Sequence, residues 1–464
     1  MVNFTKINDQ SILSGNNNDL IKNSKLILKL SEYNNVELIK KQNNFFAKIT
    51  NSNSNSNGMF VNTFRNKIVP NDRTGKTNTS FGAILKWNVN GDLLGVSAPN
   101  YDETDLEDNN GAVYIYSFDS LFKSDPVPVN ILKPRTNSRY IYSIDWSPDN
   151  KKLIIASQDK IFIYDTDKLN NSLLNPDPIK TIEINGKPYI VTTLWSPDSN
   201  KIAFSNYGQD QSSSIYVYDL ITDTYKFSKE SKLSYVGNFM SWSSDSKMIF
   251  FSTRINNPLP GSDPYLTGIK TVDAYGVNDL NTKIKTINPF DMSNGNAKSD
   301  INIVPSNTKK HVALIFAFGT DNITNYEVQI YDYNDFYNNL NPLPKYKIRN
   351  LELFNMWGFW PASFSWSFDD KLFSVGVYNN GLDGYVDIYQ VSELKENVIN
   401  NNPLHKIDDK NIIDNNNRAY FGDRLSWHPK RNILVIGASN FNIENSNIVI
   451  PTQNSTGAIF IYGK

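Results

Sequence analysis

The chain has 464 residues, more than one ordinary core accommodates, so it either divides into domains or builds one large domain by repetition. Its 46 basic and 47 acidic side chains leave a formal net charge of -1, which excludes a whole-molecule field that gathers nucleic acid or anionic membrane. Cysteine is absent, and with it disulfides, thiolate metal sites and a cysteine nucleophile, while 39% hydrophobic and 13% aromatic residues are enough to fill a core.

The N-terminus, MVNFTKINDQSILSGNNND, lacks the apolar core of a signal peptide, and no stretch approaches the ~18 to 20 consecutive apolar residues of a membrane span. These features predict an intracellular, cytoplasmic protein. The excess of asparagine is a bias of low-GC genomes, large DNA viruses among them, and leaves a virus particle as the other location. Residues 1–57 form an N-terminal appendage. Within it DLIKNSKLILKLSEYNNVELIKKQNNFFAKI fits either a helix or a hairpin turning at Asn34 and Asn35, and NSNSNSN (51–57) is a low-complexity linker. RTGKTN (73–78) ends like a phosphate loop but has Pro70 where the first glycine belongs, so it predicts no nucleotide site.

Through residues 58–464 one unit recurs: an alternating run entering Trp, a polar turn, a second apolar run, a loop, and an alternating run that ends in Tyr. Alternation of this period means strands. Six copies turn at Trp87 (WNVNGDL), Trp146 (WSPDNKK), Trp195 (WSPDSNK), Trp242 (WSSDSKM), Trp366 (WSFDDKL) and Trp427 (WHPKRNI). The interval of 124 residues from Trp242 to Trp366 is about twice the 61 from Trp366 to Trp427, which predicts a seventh copy near residue 304. INIVPSNTKKHVALIFAFG lies there, with Val304 at the Trp position and Lys309 and Lys310 under Lys151 and Lys152. Third strands follow as GAVYIYSF, KIFIYDTD, SIYVYDLI, GIKTVDAY, EVQIYDYN, YVDIYQVS and GAIFIYGK. Fourth strands include DPIKTIEI, LPKYKIRNL and PLHKIDD. Four strands per copy, seven times, predict an all-β, seven-bladed β-propeller. The last copy stops after its third strand, so GMFVNTFR (58–65) is expected to close the ring from the N-terminal side and remove an open edge.

The units, above all WSPDSNKIAFSNYGQDQSSSIYVYDL, resemble WD40-like repeats of the TolB-type WSPD class, and the whole resembles a WD-repeat protein. The match departs from the usual WD40 pattern in lacking a Gly-His dipeptide and in closing on Tyr-Asp or Tyr-Ser. The first and last units, FGAILKW...VSAPN...GAVYIY and FGDRLSW...IGASN...GAIFIY, also resemble integrin-type FG-GAP repeats. The resemblance implies the propeller fold and says little of function, because these repeats host many unrelated roles; no cofactor is expected.

Chemistry-bearing residues are sparse. His311 is expected to start a second strand, His405 to lie in a connection, and His428 to replace the serine of its turn. None converges on a metal or catalytic site. Asp102, Asp105, Glu107 and Asp108 in the loop 100–111 have calcium-type oxygen chemistry without the spacing of an integrin-like loop. Asp423, Arg424 and Lys86 bring charges into adjacent blades at the channel mouth, the setting for the alternative of an enzyme or small-ligand propeller. At the entries of the inner strands stand Phe81, Tyr140, Tyr189, Trp360 and Phe421, with Tyr235 one position off. The long loops of the same face add Tyr265 and Phe441. These aromatics are the candidate partner-binding face of a non-enzymatic, monomeric protein-interaction scaffold, with a structural component of a large assembly, including a viral one, as the further alternative. On the opposite face the stretches DTDKLNNSLLNPDP, DYNDFYNNLNPLP and QVSELKENVINNNP are short connectors around Leu169 and Phe336.

Overall fold

The computed structural model describes residues 3–7, 10–16, 36–41, 44–50, 63–70, 79–101, 111–134, 141–169, 175–183, 190–207, 213–228, 234–255, 269–289, 296–297, 300–320, 323–354, 363–379, 382–400, 402–408, 420–441 and 456–463. Two compact units divide the chain, Met1–Met59 and Phe60–Lys464.

The first unit is a four-stranded antiparallel sheet of Asn3–Ile7, Gln10–Asn16, Val36–Lys41 and Asn44–Thr50, with the last two in exchanged spatial order. Val36–Lys41 and Asn44–Thr50 form an antiparallel ladder that pairs Lys41 with Asn44. Asn34 and Asn35 themselves, and the linker 51–57, lie outside the described residues.

The second unit is a β-propeller of seven four-stranded antiparallel blades. Blade 2 shows the plan, with Ile141–Trp146 innermost, then Lys152–Ser157, Lys160–Asp165 and Lys180–Glu183 outermost. Its two middle strands are buried on both faces, because each blade is sandwiched between two others. The outer strand keeps a single buried anchor, Ile182. That burial gradient explains why the second and third runs read as almost continuous apolar stretches and the fourth as polar.

The hidden copy is real. Asn302–Pro305, His311–Thr320, Ile323–Asp332 and Tyr346–Phe354 make blade 5. Its register corrects the sequence alignment by one residue. Ser306 N–H donates to His311 O as Ser147 N–H donates to Lys152 O, so Pro305, not Val304, stands at the Trp position. Lys309 has a φ of 57°, matching Asn150 at 61°.

The ring closes as expected, although the closing strand is Phe64–Ile68 rather than 58–65. It pairs antiparallel with Ala458–Gly463, and Arg65 Nε donates to Gly463 O at 2.6 Å. His405 also departs from expectation, since it begins the outer strand His405–Asp408 of blade 6. The connector of that blade supplies a further edge device: Ile399–Asn400 pairs in parallel with the outer strand of blade 5, and Asn400 Nδ2 donates to Lys347 O. An edge so covered offers fewer unpaired groups to another chain.

Candidate functional site

The inner strands alternate between channel and blade. Taking each Trp as reference, the side chain one residue before it and that three residues before it face the channel, while the one between turns into the blade sandwich. Blade 6 shows the pattern, with Ser363 and Ser365 half-buried between buried Phe364 and Trp366. The Trp rings are buried in the blade interfaces. Trp146, Trp242 and Trp366 Nε1 donate to Lys86 O, Leu194 O and Val304 O respectively, each the residue just before the Trp position of the preceding blade. These bonds confirm packing as the role of the repeated tryptophan.

Blade 5, with Pro305, needs another solution. The helix Tyr333–Asn338, N-capped by Asp332, sends Tyr337 OH to Ser241 Oγ of blade 4 at 2.7 Å and packs Tyr333, Phe336 and Tyr337 around Phe250. Lys285, held near the helix end by donation to Phe336 O and Asn339 O, has its ammonium pushed down to about 8 by burial.

After each Trp the chain makes a compact turn that saturates itself. Ser147 Oγ donates to Asp149 Oδ1 and accepts from Lys152 N, and Asp149 Oδ1 accepts from Lys151 N. The same set recurs at Ser196 and Asp198, Ser243 and Asp245, and Ser367 and Asp369. Burial pushes the Asp149 and Asp198 carboxyls up, but the serine hydroxyls and main-chain donors outweigh it and hold both below the usual carboxylate range. Neighbouring turns are tied together: Asp149 N donates to Ser199 Oγ, Asp198 N to Ser246 Oγ, and Asn307 N to Asp370 Oδ1. His428 makes the tie from blade 7 to blade 1. Its Nε2 donates to Gly91 O at 2.8 Å, its Nδ1 accepts from Lys430 N, and its ring lies 4.7 Å from that of Trp87. Burial pushes His428 down to about 4. On this face the turns bond within themselves and, at several blade interfaces, to one another.

The opposite face differs in the length of its connections. Residues 158–159, 208–212, 321–322 and 380–381 suffice to join second and third strands in blades 2, 3, 5 and 6, whereas blades 1, 4 and 7 use 99–111, 256–268 and 439–457.

The aromatic candidates separate. Phe81 and Phe421 are fully buried and Phe441 is 6% exposed, so all three are interior groups rather than contact residues. Each ring meets others edge-on: Phe81 meets Tyr114, while Phe421 and Phe441 both meet Phe460. Tyr140, Tyr189, Tyr265 and Trp360 lie outside the described residues, as do the acidic loop 102–110 and RTGKTN, and nothing is described of the Tyr235 side chain.

The sequence did not reveal why Phe81 and Phe421 are buried. Gly82 O would lie 2.5 Å from a Cβ at Gly437 and Phe81 O 2.1 Å from one at Gly457. Likewise Gly422 O would lie 2.0 Å from a Cβ at Gly376 and Phe421 O 1.9 Å from one at Gly384. Each Phe-Gly segment is therefore laid backbone-to-backbone on two glycines of the preceding blade. The signal was present as FG in one unit and paired glycines in the unit before.

Between the inner strands runs a channel with a cavity of about 570 Å³. Among the described residues lining it, Lys86, Lys309 and Arg424 carry charge. The three expected charges do not converge. Lys86 is paired with Asp145 at 3.7 Å, Arg424 Nη1 donates to Asp423 O at 2.6 Å, and Asp423 is buried behind the wall. Burial pushes the Asp423 carboxyl up to about 6, with Arg424 and Ser439 opposing it. Among the described residues no group of acids, histidines and cysteines is arranged to hold a metal ion, and no helix is long and apolar enough to cross a membrane.

No protein-family model matches the chain, and no curated protein matches it. Solved structures do. A chain of a mitotic checkpoint complex is 13% identical, with 88% of this chain and 93% of that one covered at a TM-score of 0.50. The WD40 domain of Toxoplasma gondii coronin is 11% identical over 87% and 88% at 0.49, and Kuenenia stuttgartiensis hydrazine synthase 15% identical over 64% and 73% at 0.43. At such identities a likeness shows the fold alone.

Proposed function

We propose that this WD40-like propeller is a non-enzymatic protein-interaction scaffold, cytoplasmic and monomeric, that presents the face carrying the long connections of blades 1, 4 and 7. The observation that supports this most is the asymmetry of the two faces. One carries the turns after the inner strands, whose serine and aspartate groups bond one another, while the other sets the long second-to-third-strand connections of blades 1, 4 and 7 on a rigid base. Loops on a rigid scaffold vary without disturbing the strands, which is how such folds acquire partners. Tyr140, Tyr189, Tyr265 and Trp360 are the aromatic anchors of this reading, and Phe81, Phe421 and Phe441 its internal supports. The pairing of Lys86 with Asp145 and the burial of Asp423 favour a scaffold over an acid-base enzyme.

The test is recovery of partners by the tagged chain from its own host, compared with a Tyr265→Ala/Trp360→Ala variant and with a Leu340→Ala/Leu343→Ala variant. The two leucines are 63% and 79% exposed on the other face's connector. Loss of the same partner from the aromatic variant alone, with an unchanged melting curve, is the expected result. Loss from the leucine variant alone moves the site to the turn face, and turnover of a small substrate without any stable partner overturns the scaffold.

A further inference from the structure

The channel wall differs from one side of the ring to the other. In blades 6 and 7 both positions that face it, one and three residues before the Trp, are polar: Ser365 and Ser363, Ser426 and Arg424. In blades 1, 3, 4 and 5 one of the two is apolar, as Ile84, Leu194, Phe239 and Val304, and all four line the cavity. Blades 2 and 3 each add an apolar residue through a β-bulge. Ile141 pairs with Ser157 and Ser143 with Ala156, while Ile190 pairs with Asn206 and Thr192 with Ser205, so Tyr142 and Val191 are left out of their ladders, and both line the cavity. A bulge re-aims a side chain, and two neighbouring blades make the same one. These six side chains are half-buried, so each keeps apolar surface uncovered. The polar groups beside them already serve the ring: Ser143 Oγ donates to Thr193 O, Ser363 Oγ donates to Gly422 O, Ser241 Oγ bonds Tyr337 OH, Lys86 pairs with Asp145, and Arg424 Nη1 donates to Asp423 O.

We infer that the central channel is a binding site for a small, neutral, mainly apolar aromatic molecule, seated against the side formed by blades 1 to 5. A cavity of about 570 Å³ is within the range of small-molecule sites, roughly 300 to 1,000 Å³, which are lined chiefly by apolar and aromatic side chains. Contact with such a ligand needs no unspent hydrogen-bond donor. Release of water from the uncovered apolar surface supplies the driving force, and the rings of Tyr142 and Phe239, from blades 2 and 4, favour an aromatic guest over an aliphatic one. The apolar groups stand on strands rather than loops, so little ordering is needed when the ligand enters. This site is independent of the outer-face reading: the channel can be loaded or empty while the loops bind a protein.

The experiment is fluorescence titration of the full chain with N-phenyl-1-naphthylamine, a neutral aromatic probe whose emission rises in apolar surroundings. Saturable binding of one probe per chain is expected, weakened about fivefold or more by Leu194→Gln and by Val191→Gln, each of which sets an amide in the apolar side of the cavity. Leu340→Gln/Leu343→Gln, which changes two exposed leucines outside the channel lining, should leave binding unchanged. Melting curves show that the variants fold, and should Leu194→Gln fail to do so, Val191→Gln decides, because Val191 lies outside the strand ladder. The proposal is overturned by the absence of saturable binding, or by equal binding to wild type and the folded channel variants. An equal loss in the leucine pair variant also overturns it, by placing the probe on the outer surface.

Discussion

Blades 2, 3 and 4 and the pair formed by blades 7 and 1 are joined in different ways. In the first group a Trp indole and a Ser-x-Asp turn make the contacts, through short-range patterns repeated in each unit. At the seam, a Phe-Gly segment lies on glycines of the preceding blade, the fourth strand arrives from the other end of the sequence, and His428 replaces the turn serine. Identical strand order thus rests on two sets of contacts. The repeated set is redundant, whereas the seam depends on single residues, so damage should be graded accordingly.

The largest expected effect is at the closing strand. Removing residues 1–68 takes the outer strand from blade 7, together with the bond of Arg65 to Gly463 O, and should give an aggregating chain. Removing 1–50 leaves that strand in place. Similar melting temperatures for the two truncations would mean that the seam does not need its fourth strand.

Next come the glycines. Gly437→Ala puts a Cβ 2.5 Å from Gly82 O, and should cost about 3 kcal/mol or more in urea unfolding. Gly276→Ala, in blade 4, meets nothing nearer than Ile284 Cδ1 at 3.7 Å and should be nearly neutral. Equal losses would erase the distinction between the seam and the repeated blades.

The third effect depends on pH. His428 is held at about 4, below the ordinary 6.5, so as pH falls the unfolded chain takes up the proton first. The stability present above about 6.5 is lost on the way to 4. Lys430 and Arg431 add repulsion to burial in disfavouring the imidazolium. Asp423, raised to about 6, acts in the opposite sense over part of the same window, losing stability as pH rises through 6. The comparison that isolates the histidine is wild type against His428→Asn, because Asn88 already fills this turn position in blade 1 and accepts from Leu93 N. Wild type should lose about 2 kcal/mol more than the variant between pH 7 and 4, measured by denaturant at each pH. Parallel profiles would remove the histidine from the seam's energetics.

The smallest effect tests the repeated blades themselves. Trp146→Phe deletes the bond to Lys86 O, while the indole nitrogen of Trp195 is buried with no partner among the described residues. Trp146→Phe should therefore cost about 1 kcal/mol more than Trp195→Phe. The reverse order would show that ring volume, not the hydrogen bond, dominates.

The sequence by itself determined whatever depends on local spacing. The Trp-to-Trp interval counted the blades, alternation identified the strands, and the Ser-x-Asp turn closes on its own atoms within six residues, so it is visible in any copy that keeps it. Even blade 5 was located without its Trp. The misplacement by one residue arose because Val304 is the apolar residue and Pro305 the structural equivalent, and only the turn hydrogen bonds of Ser306 fix that register. Tertiary structure decided what depends on a neighbouring blade. Phe81 and Phe421 have the composition of surface anchors, and their burial follows from glycines at 437, 457, 376 and 384, whose missing side chains matter only once the blades are packed. Phe441 is covered in the same way by Phe460 of its own blade, brought to it by the strand ladder. The charges of Lys86, Asp423 and Arg424 were legible as types, but which of them lines the channel was settled by burial and pairing in the assembled ring.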